Sequence, residues 1–173
     1  YFFVPEENIH RRQRDDGVPY VQWRDAGYLT CTSGDVVDYS FIRKKINELG
    51  QRYDIQEVAI DRWNATQVAI WLQSDGFNVA YFGQGYRSMS APAKELEASV
   101  VGKRFRHGGH PVLRWNATVC SHEMDAAGNI KPSKKKSGER IDGIVASVMA
   151  LGRATASEGD MESVYESRGM ELL

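Results

Sequence analysis

Val58-Ala59-Ile60-Asp61-Arg62-Trp63-Asn64-Ala65-Thr66-Gln67-Val68-Ala69-Ile70-Trp71-Leu72 is the stretch that decides how this chain folds. Its first three residues are a short apolar run, the pattern of a buried strand. Asn64 followed by Gln67 resembles a capping box, in which two side chains satisfy the first free N–H groups of a helix. Val68, Trp71 and Leu72 recur at helical spacing and supply that helix's buried face, and Gly76 stops it. Asn78 to Phe82 reads as a second strand. A strand, a helix and a strand in close succession favour parallel pairing through a crossover.

Toward the N-terminus, Tyr28 to Thr32 has the β-branched and aromatic character of a strand. Tyr39, Ile42, Ile46 and Leu49 share one helical face, with Asp38 as N-cap and Gly50 as stop. Glu6 to Asp16 is charged and helix-like, ending near Gly17, and Tyr20 to Trp23 forms another helical turn. Tyr1-Phe2-Phe3-Val4 reads as the end of a strand. Toward the C-terminus, Ser90 with Pro92 starts a helix that carries Leu96 and Val100 and closes at Gly102. Pro111 opens another, with Val112, Trp115 and Val119 on one side. Asp125 to Gly138 is a polar hairpin or loop turning at Gly128. Ile141 to Ala154 is the clearest helix, with Ile141, Ile144, Val145, Val148 and Met149 inward. The order predicts an α/β fold with strands parallel in part. One domain covers residues 1–156. Residues 157–173 hold Glu158, Asp160, Glu162, Glu166 and Glu171 against Arg168, an acidic tail expected to be mobile.

Composition narrows the class. The 173 residues are 42% hydrophobic and 26% charged, which suits one globular domain with a real core. No apolar run has the length of a membrane span. Cys31 and Cys120 are far apart and form no CxxC, which argues against a disulfide framework. The net charge is −1, so any DNA-binding charge must be concentrated locally. No G-x-x-x-x-G-K-[ST] occurs, so the chain has no phosphate loop for ATP. His107-Gly108-Gly109-His110 with Cys120 and His122 fits no standard zinc spacing.

Three features carry chemistry. Asp61 follows a buried strand directly, and α/β proteins build sites at the carboxyl ends of their strands. The lesser alternative is that it caps the helix that starts near Asn64. Asp142 lies in the first turn of the last helix, where the helix dipole favours an acid in any case. Small residues Gly143, Ala146 and Ala150 let that helix approach the strands closely, which could bring Asp142 beside Asp61. Two carboxylates held together repel unless a cation lies between them, and oxygen donors select Mg²⁺ or Mn²⁺. The third feature is the basic run Lys131, Lys134, Lys135, Lys136 and Arg140, opposed only by Glu139 and placed just before Asp142. A charge run is commonly a solvated loop, but beside a metal site it suits phosphate.

Phe3-Val4-Pro5-Glu6, Gly27-Tyr28-Leu29-Thr30, Asp61-Arg62-Trp63, Phe82-Gly83-Gln84-Gly85 with Ser88-Met89-Ser90, His107-Gly108-Gly109-His110-Pro111-Val112, and Lys131-Pro132 through Lys134 to Ile141-Asp142-Gly143-Ile144-Val145-Ala146 occur in this order. Together they resemble the C-terminal nuclease domain of tailed-bacteriophage large terminase subunits, over nearly the whole chain to about Ala154. The resemblance implies an RNase H-like mixed central sheet flanked by helices. It implies a divalent-metal endonuclease that cuts concatemeric double-stranded viral DNA during packaging, with two Mg²⁺ or Mn²⁺ ions in the complete site. Asp61 matches the acid after the central strand and Asp142 the acid that opens the late helix, both as catalytic metal ligands. Lys134 matches a site-lining lysine, and Lys135, Lys136 and Arg140 accompany it as DNA contacts. The family pattern also expects an Asp on a first strand before Tyr1, with no counterpart here, which leaves the expected site one acid short. Partners implied are DNA, the portal protein and the small terminase subunit, in the host cytoplasm and transiently at the procapsid portal. A junction-resolvase type of RNase H-like nuclease and a non-catalytic docking module are the competing readings.

Overall fold

The computed structural model describes residues 1–61 and 66–163. The elements run β1 (Phe3–Pro5), α1 (Ile9–Asp16), α2 (Tyr20–Asp25), β2 (Thr30–Thr32), α3 (Tyr39–Gly50), β3 (Val58–Asp61), α4 (Thr66–Ser74), β4 (Val79–Phe82), α5 (Tyr86–Val101), α6 (Pro111–Val119), β5 (His122–Met124), β6 (Ile130–Pro132) and α7 (Asp142–Ser163). Asn64, half of the expected capping box, lies outside the described residues.

Among the described residues the strands pair as three two-stranded sheets. β1 runs parallel to β2, with Phe3 opposite Thr30 and Pro5 opposite Thr32. β3 runs parallel to β4, from Val58 opposite Val79 to Asp61 opposite Phe82. β5 and β6 form the antiparallel hairpin, His122 opposite Pro132. The parallel pairs and the hairpin together give the mixed α/β character expected from the order of elements.

The β3–β4 pair is covered on both faces, which is why its residues are apolar without alternation. Ile60, Val58 and Val79 pack with Val68, Ala69 and Leu72 of α4 and Ile46 of α3. Ala59 and Phe82 face the other way, into a core of Met89 and Leu96 from α5 with Ile141, Val145, Val148 and Met149 at and along α7. A third cluster joins Ile9, Val18, Tyr20 and Leu29 to Val112 of α6, with Trp23 and Trp115 at its edge.

Several boundaries differ from those the sequence suggests. α1 starts at Ile9, where the first apolar side chain can be buried, rather than at Glu6. Gly17 closes it in the left-handed region at φ 66°. α5 starts at Tyr86, one turn before Ser90, so Pro92 lies inside the helix and not at its start. Pro92 lacks the N–H that would bond back four residues, but its buried ring fills space against α7, 3.1 Å from where a Cβ on Gly152 would lie. α7 passes residue 156 and continues to Ser163. The rest of the expected acidic tail, 164–173, lies outside the described residues.

Two polar ties fix the layers. Arg153 on α7 grips Glu57, just before β3, through Nε (2.6 Å) and Nη2 (2.9 Å). Asp75, just past α4, accepts from Arg43 Nε at 2.7 Å and from Asn47 Nδ2 at 2.8 Å on α3. Arg43 is the larger cause that lowers the Asp75 carboxyl from its ordinary 3.8 to about 2, with Asn47 next. A carboxyl depressed in the folded state adds stability above its unfolded value and loses it as pH falls through the folded one. The advantage of the native chain over Asp75→Asn in thermal midpoint should therefore hold at neutral pH and shrink between pH 3.8 and about 2. An advantage that persists at the acid end would show that the tie is not ionic.

Gly152 yields a second prediction. Replacing an interior helical glycine with alanine ordinarily gains about 1 kcal/mol. Here the new Cβ would lie 2.9 Å from Phe82 Cζ and 3.1 Å from Pro92 Cγ. Gly152→Ala should instead cost about 1–3 kcal/mol in urea unfolding, the range for overpacking. A gain would mean that α7 does not sit on Phe82.

Candidate active site

Asp61 ends β3 directly opposite Phe82 of β4. Paired residues on neighbouring strands share a face, and Phe82 faces the α5–α7 core. Asp61 is therefore directed to the α7 side, half-buried at the carboxyl edge of the pair. β3 itself packs against α7.

Asp142 is the first residue of α7. Its neighbours are anchored and it is not. Ile141 is 0% exposed, while the Asp142 side chain is 60% exposed and accepts an ion pair from Lys134 Nζ at 2.8 Å. The expected nearness of α7 to the strands is realised at Gly143. A Cβ there would lie 2.7 Å from Phe2 Cζ, so only a glycine lets the helix start this close to the β1 segment.

Lys134 reaches Asp142 from an ordered turn, not a loose loop. Ser133 is 3% and Ser137 1% exposed. The Ser137 N–H bonds to the Ser133 carbonyl at 3.0 Å, and its hydroxyl donates to the same carbonyl at 2.6 Å. The Ser121 N–H donates to Ser137 Oγ at 2.8 Å, and the Ser133 N–H to the Ser121 carbonyl at 2.9 Å. The Lys136 N–H reaches Ser133 Oγ at 3.3 Å. The hairpin behind this turn is held to α5, where the buried Ser90 hydroxyl accepts from the Ile130 N–H at 3.2 Å.

Lys134, Lys135 and Lys136 are thus presented side by side on an exposed turn clamped by two buried serines. Lys135 and Lys136 make no ion pair among the described residues. Arg140 is exposed but lies toward Tyr20, close enough to act on its hydroxyl. That hydroxyl donates to Asp16 at 2.9 Å. Burial, then Asp16, pushes the Tyr20 phenol above its ordinary range. Within the basic run, Lys134 lies at Asp142 and Arg140 lies within electrostatic reach of Tyr20.

Sequence reasoning passed over Asn116 and the two serines. Asn116 sits four residues after Val112 on the inner face of α6 and is 2% exposed. A polar residue on an otherwise apolar stripe was the available signal. His107 and His110, set aside as zinc ligands, stack with Phe105 and against Phe2 and Tyr28. Among the described residues no group of three or more His, Cys, Asp or Glu side chains converges as a metal cluster.

Two shallow grooves border α7. One of about 400 Å³ is lined by Glu95, Phe105 and Leu151, the other of about 370 Å³ by Tyr81, Ser88 and Arg153. Neither includes Asp61 or Asp142, so neither acid is placed in these hollows.

Comparison with known proteins bears directly on this arrangement. The family described as "Terminase large subunit, endonuclease domain" matches residues 1–158. The large terminase subunit of Enterobacteria phage HK97 is 36% identical over 168 residues, which is 94% of this chain and 33% of that protein. Protein YmfN of Escherichia coli strain K12 is 31% identical over 180 residues, 99% of this chain and 40% of that protein. The crystal structure of the HK97 bacteriophage large terminase superposes with a TM-score of 0.81 at 37% identity, covering 87% of this chain and 32% of that one. The chain thus spans between a third and two fifths of the length of these curated relatives. The fold matches that solved terminase and is consistent with the RNase H-like arrangement expected. With residues 1–158 matched and the fold shared, this chain belongs to the terminase large subunit endonuclease-domain family.

Proposed function

We propose that this chain is the divalent-metal-dependent endonuclease that cuts concatemeric double-stranded viral DNA during genome packaging. The observation that carries the reading is the meeting of Asp142 with Lys134, an acid and a cation from separate elements brought to 2.8 Å on an exposed surface. Family membership supports it, because the family is described as an endonuclease domain.

Asp61 and Asp142 are the metal ligands in this reading. Their donors are hard carboxylate oxygens, and Mg²⁺ commonly binds through one or two carboxylates with substrate phosphate and water completing its shell. A pair of acids therefore fits Mg²⁺ or Mn²⁺ in kind, two ions being the complement of the complete site. When bound, such ions orient a water and neutralise charge on the leaving oxygen of a phosphodiester. Lys134 balances the charge of Asp142, and with a divalent cation at Asp142 its ammonium would be available to a DNA phosphate. Lys135 and Lys136 hold the backbone from the same turn, and Arg140 extends the contact. Partners proposed with this function are the portal protein and the small terminase subunit, in the host cytoplasm and at the procapsid portal. No helix among the described residues is long and apolar enough to cross a membrane. Residues 1–156 form the nuclease unit in this proposal.

In the complete protein, Asp61→Ala and Asp142→Ala should each abolish plasmid cleavage in Mg²⁺ or Mn²⁺ and leave the circular dichroism spectrum unchanged. Full cleavage by either variant would sink the assignment. Binding should also weaken steeply with salt. Changing Lys135 and Lys136 to alanine should flatten the log–log salt dependence of DNA affinity by about one unit per lysine. An unchanged slope would remove the turn from the DNA interface.

A further inference from the structure

The start of α7 lacks a cap of its own. The Val145 N–H bonds to the Ile141 carbonyl at 3.0 Å, which makes Ile141 the N-cap residue and Gly143 the second residue of the helix. An N-cap side chain ordinarily accepts from the second or third N–H of the helix, and isoleucine has no acceptor. The missing acceptor comes from another helix. Asn116 Oδ1 on α6 accepts from the Gly143 N–H at 2.7 Å, across 27 positions of sequence. Asn116 is 2% exposed, so leaving its acceptor unpaired would be expensive.

We infer that Asn116 is a positioning residue for Asp142, a cap lent by α6 that fixes the peptide next to the acid and leaves the acid's carboxylate free for a cation. The inference rests on the proposed metal role of Asp142. Three contacts hold its neighbours. Ile141 before it is fully buried, Gly143 after it is bonded to Asn116, and the Phe2 ring also lies against Gly143. A side chain on Gly143 would collide with both partners, at 2.7 Å from Asn116 Oδ1 and 2.7 Å from Phe2 Cζ.

Division of labour follows from this geometry. Asp is itself a strong capping residue. The Ile144 and Val145 N–H groups already bond to the Ile141 carbonyl, so were the Gly143 N–H unsatisfied, the Asp142 carboxylate beside it would be drawn back to that N–H. With Asn116 on that N–H, Asp142 can point outward, where it meets Lys134. Partners that orient a metal ligand without touching the metal typically cost 10–100-fold in affinity when removed.

The test is Mn²⁺ uptake by the complete protein, read as the rise in thermal midpoint with Mn²⁺ and independently of cleavage. Asn116→Leu keeps the volume and removes the acceptor, and Asn116→Asp keeps an acceptor. Asn116→Leu should raise the half-saturating Mn²⁺ concentration by about 10–100-fold, and Asn116→Asp should stay close to the native value. If Asn116→Leu does not fold, Asn116→Ser takes its place, with a hydroxyl set too far back to reach Gly143. Native half-saturation in the acceptor-free variant, or equal loss in Asn116→Asp, overturns the inference. Asp142→Asn separates the two levels. If it abolishes the Mn²⁺ response while Asn116→Leu leaves it intact, the positioning role alone is wrong. If the native protein shows no response, or Asp142→Asn keeps it, the metal reading of Asp142 fails and this inference fails with it.

Discussion

Everything in this molecule depends on how closely α7 lies against the strands. The helix touches both parallel pairs at glycines, Gly143 against Phe2 of the β1 segment and Gly152 against Phe82 of β4. Between them Val145, Val148 and Met149 fill the core with Met89 and Leu96. Interiors pack at crystal-like density, so a helix set one methyl further out would open voids along this whole face. The ion pair of Arg153 with Glu57 fixes the far part of the helix to the entry of β3. The near end carries Asp142. A single rigid element therefore relates the acid on the helix to the acid on the strand.

The pair of Lys134 with Asp142 matters for its position more than its energy. Both side chains are more than half exposed, and exposed ion pairs contribute about 0–1 kcal/mol. So weak a contact cannot be what orders the turn. Order comes from Ser133 and Ser137, two buried residues that bond to Ser121 and to one another. The turn would hold its shape with the lysines removed, which leaves their ammonium groups free to serve an external anion. A cationic turn set beside an acid suits a ligand that carries both charges, such as a phosphate with its metal counterion.

The sequence was legible wherever burial decided the outcome. The apolar run Val58 to Ile60, the stripe Ile141 to Met149 and the cap Asp38, which accepts from the Ser40 N–H at 2.8 Å, all lie where periodicity places them. Two things were less legible. Helix α5 begins before Pro92, because the glycine surface of α7 at Gly152 leaves room for the proline ring inside a helix, and only the tertiary fit reveals that room. Asn116 and the two serines were passed over for a related reason. The apolar stripe of α6 hints that Asn116 is buried, but its partner lies 27 positions away and the Ser121 partner of Ser137 lies 16 away, so no local rule names them. Asp61 and Asp142 stood out by position alone, at a strand end and a helix start, and each position also has a purely structural use.

Duplex DNA constrains what an enzyme for it can look like. A rod of such width cannot enter grooves of 370 to 400 Å³, and neither groove includes the two acids. A site for it must be open, and an open site cannot exclude water or draw on a low dielectric to strengthen its contacts. Precision then has to come from rigid placement of ligands and from the charge of bound ions. In this fold rigidity is supplied from beneath the surface, by an asparagine of α6 capping α7, a phenylalanine ring against a glycine, and serines inside a turn. The exposed groups can be few because the buried ones leave them little freedom to be elsewhere.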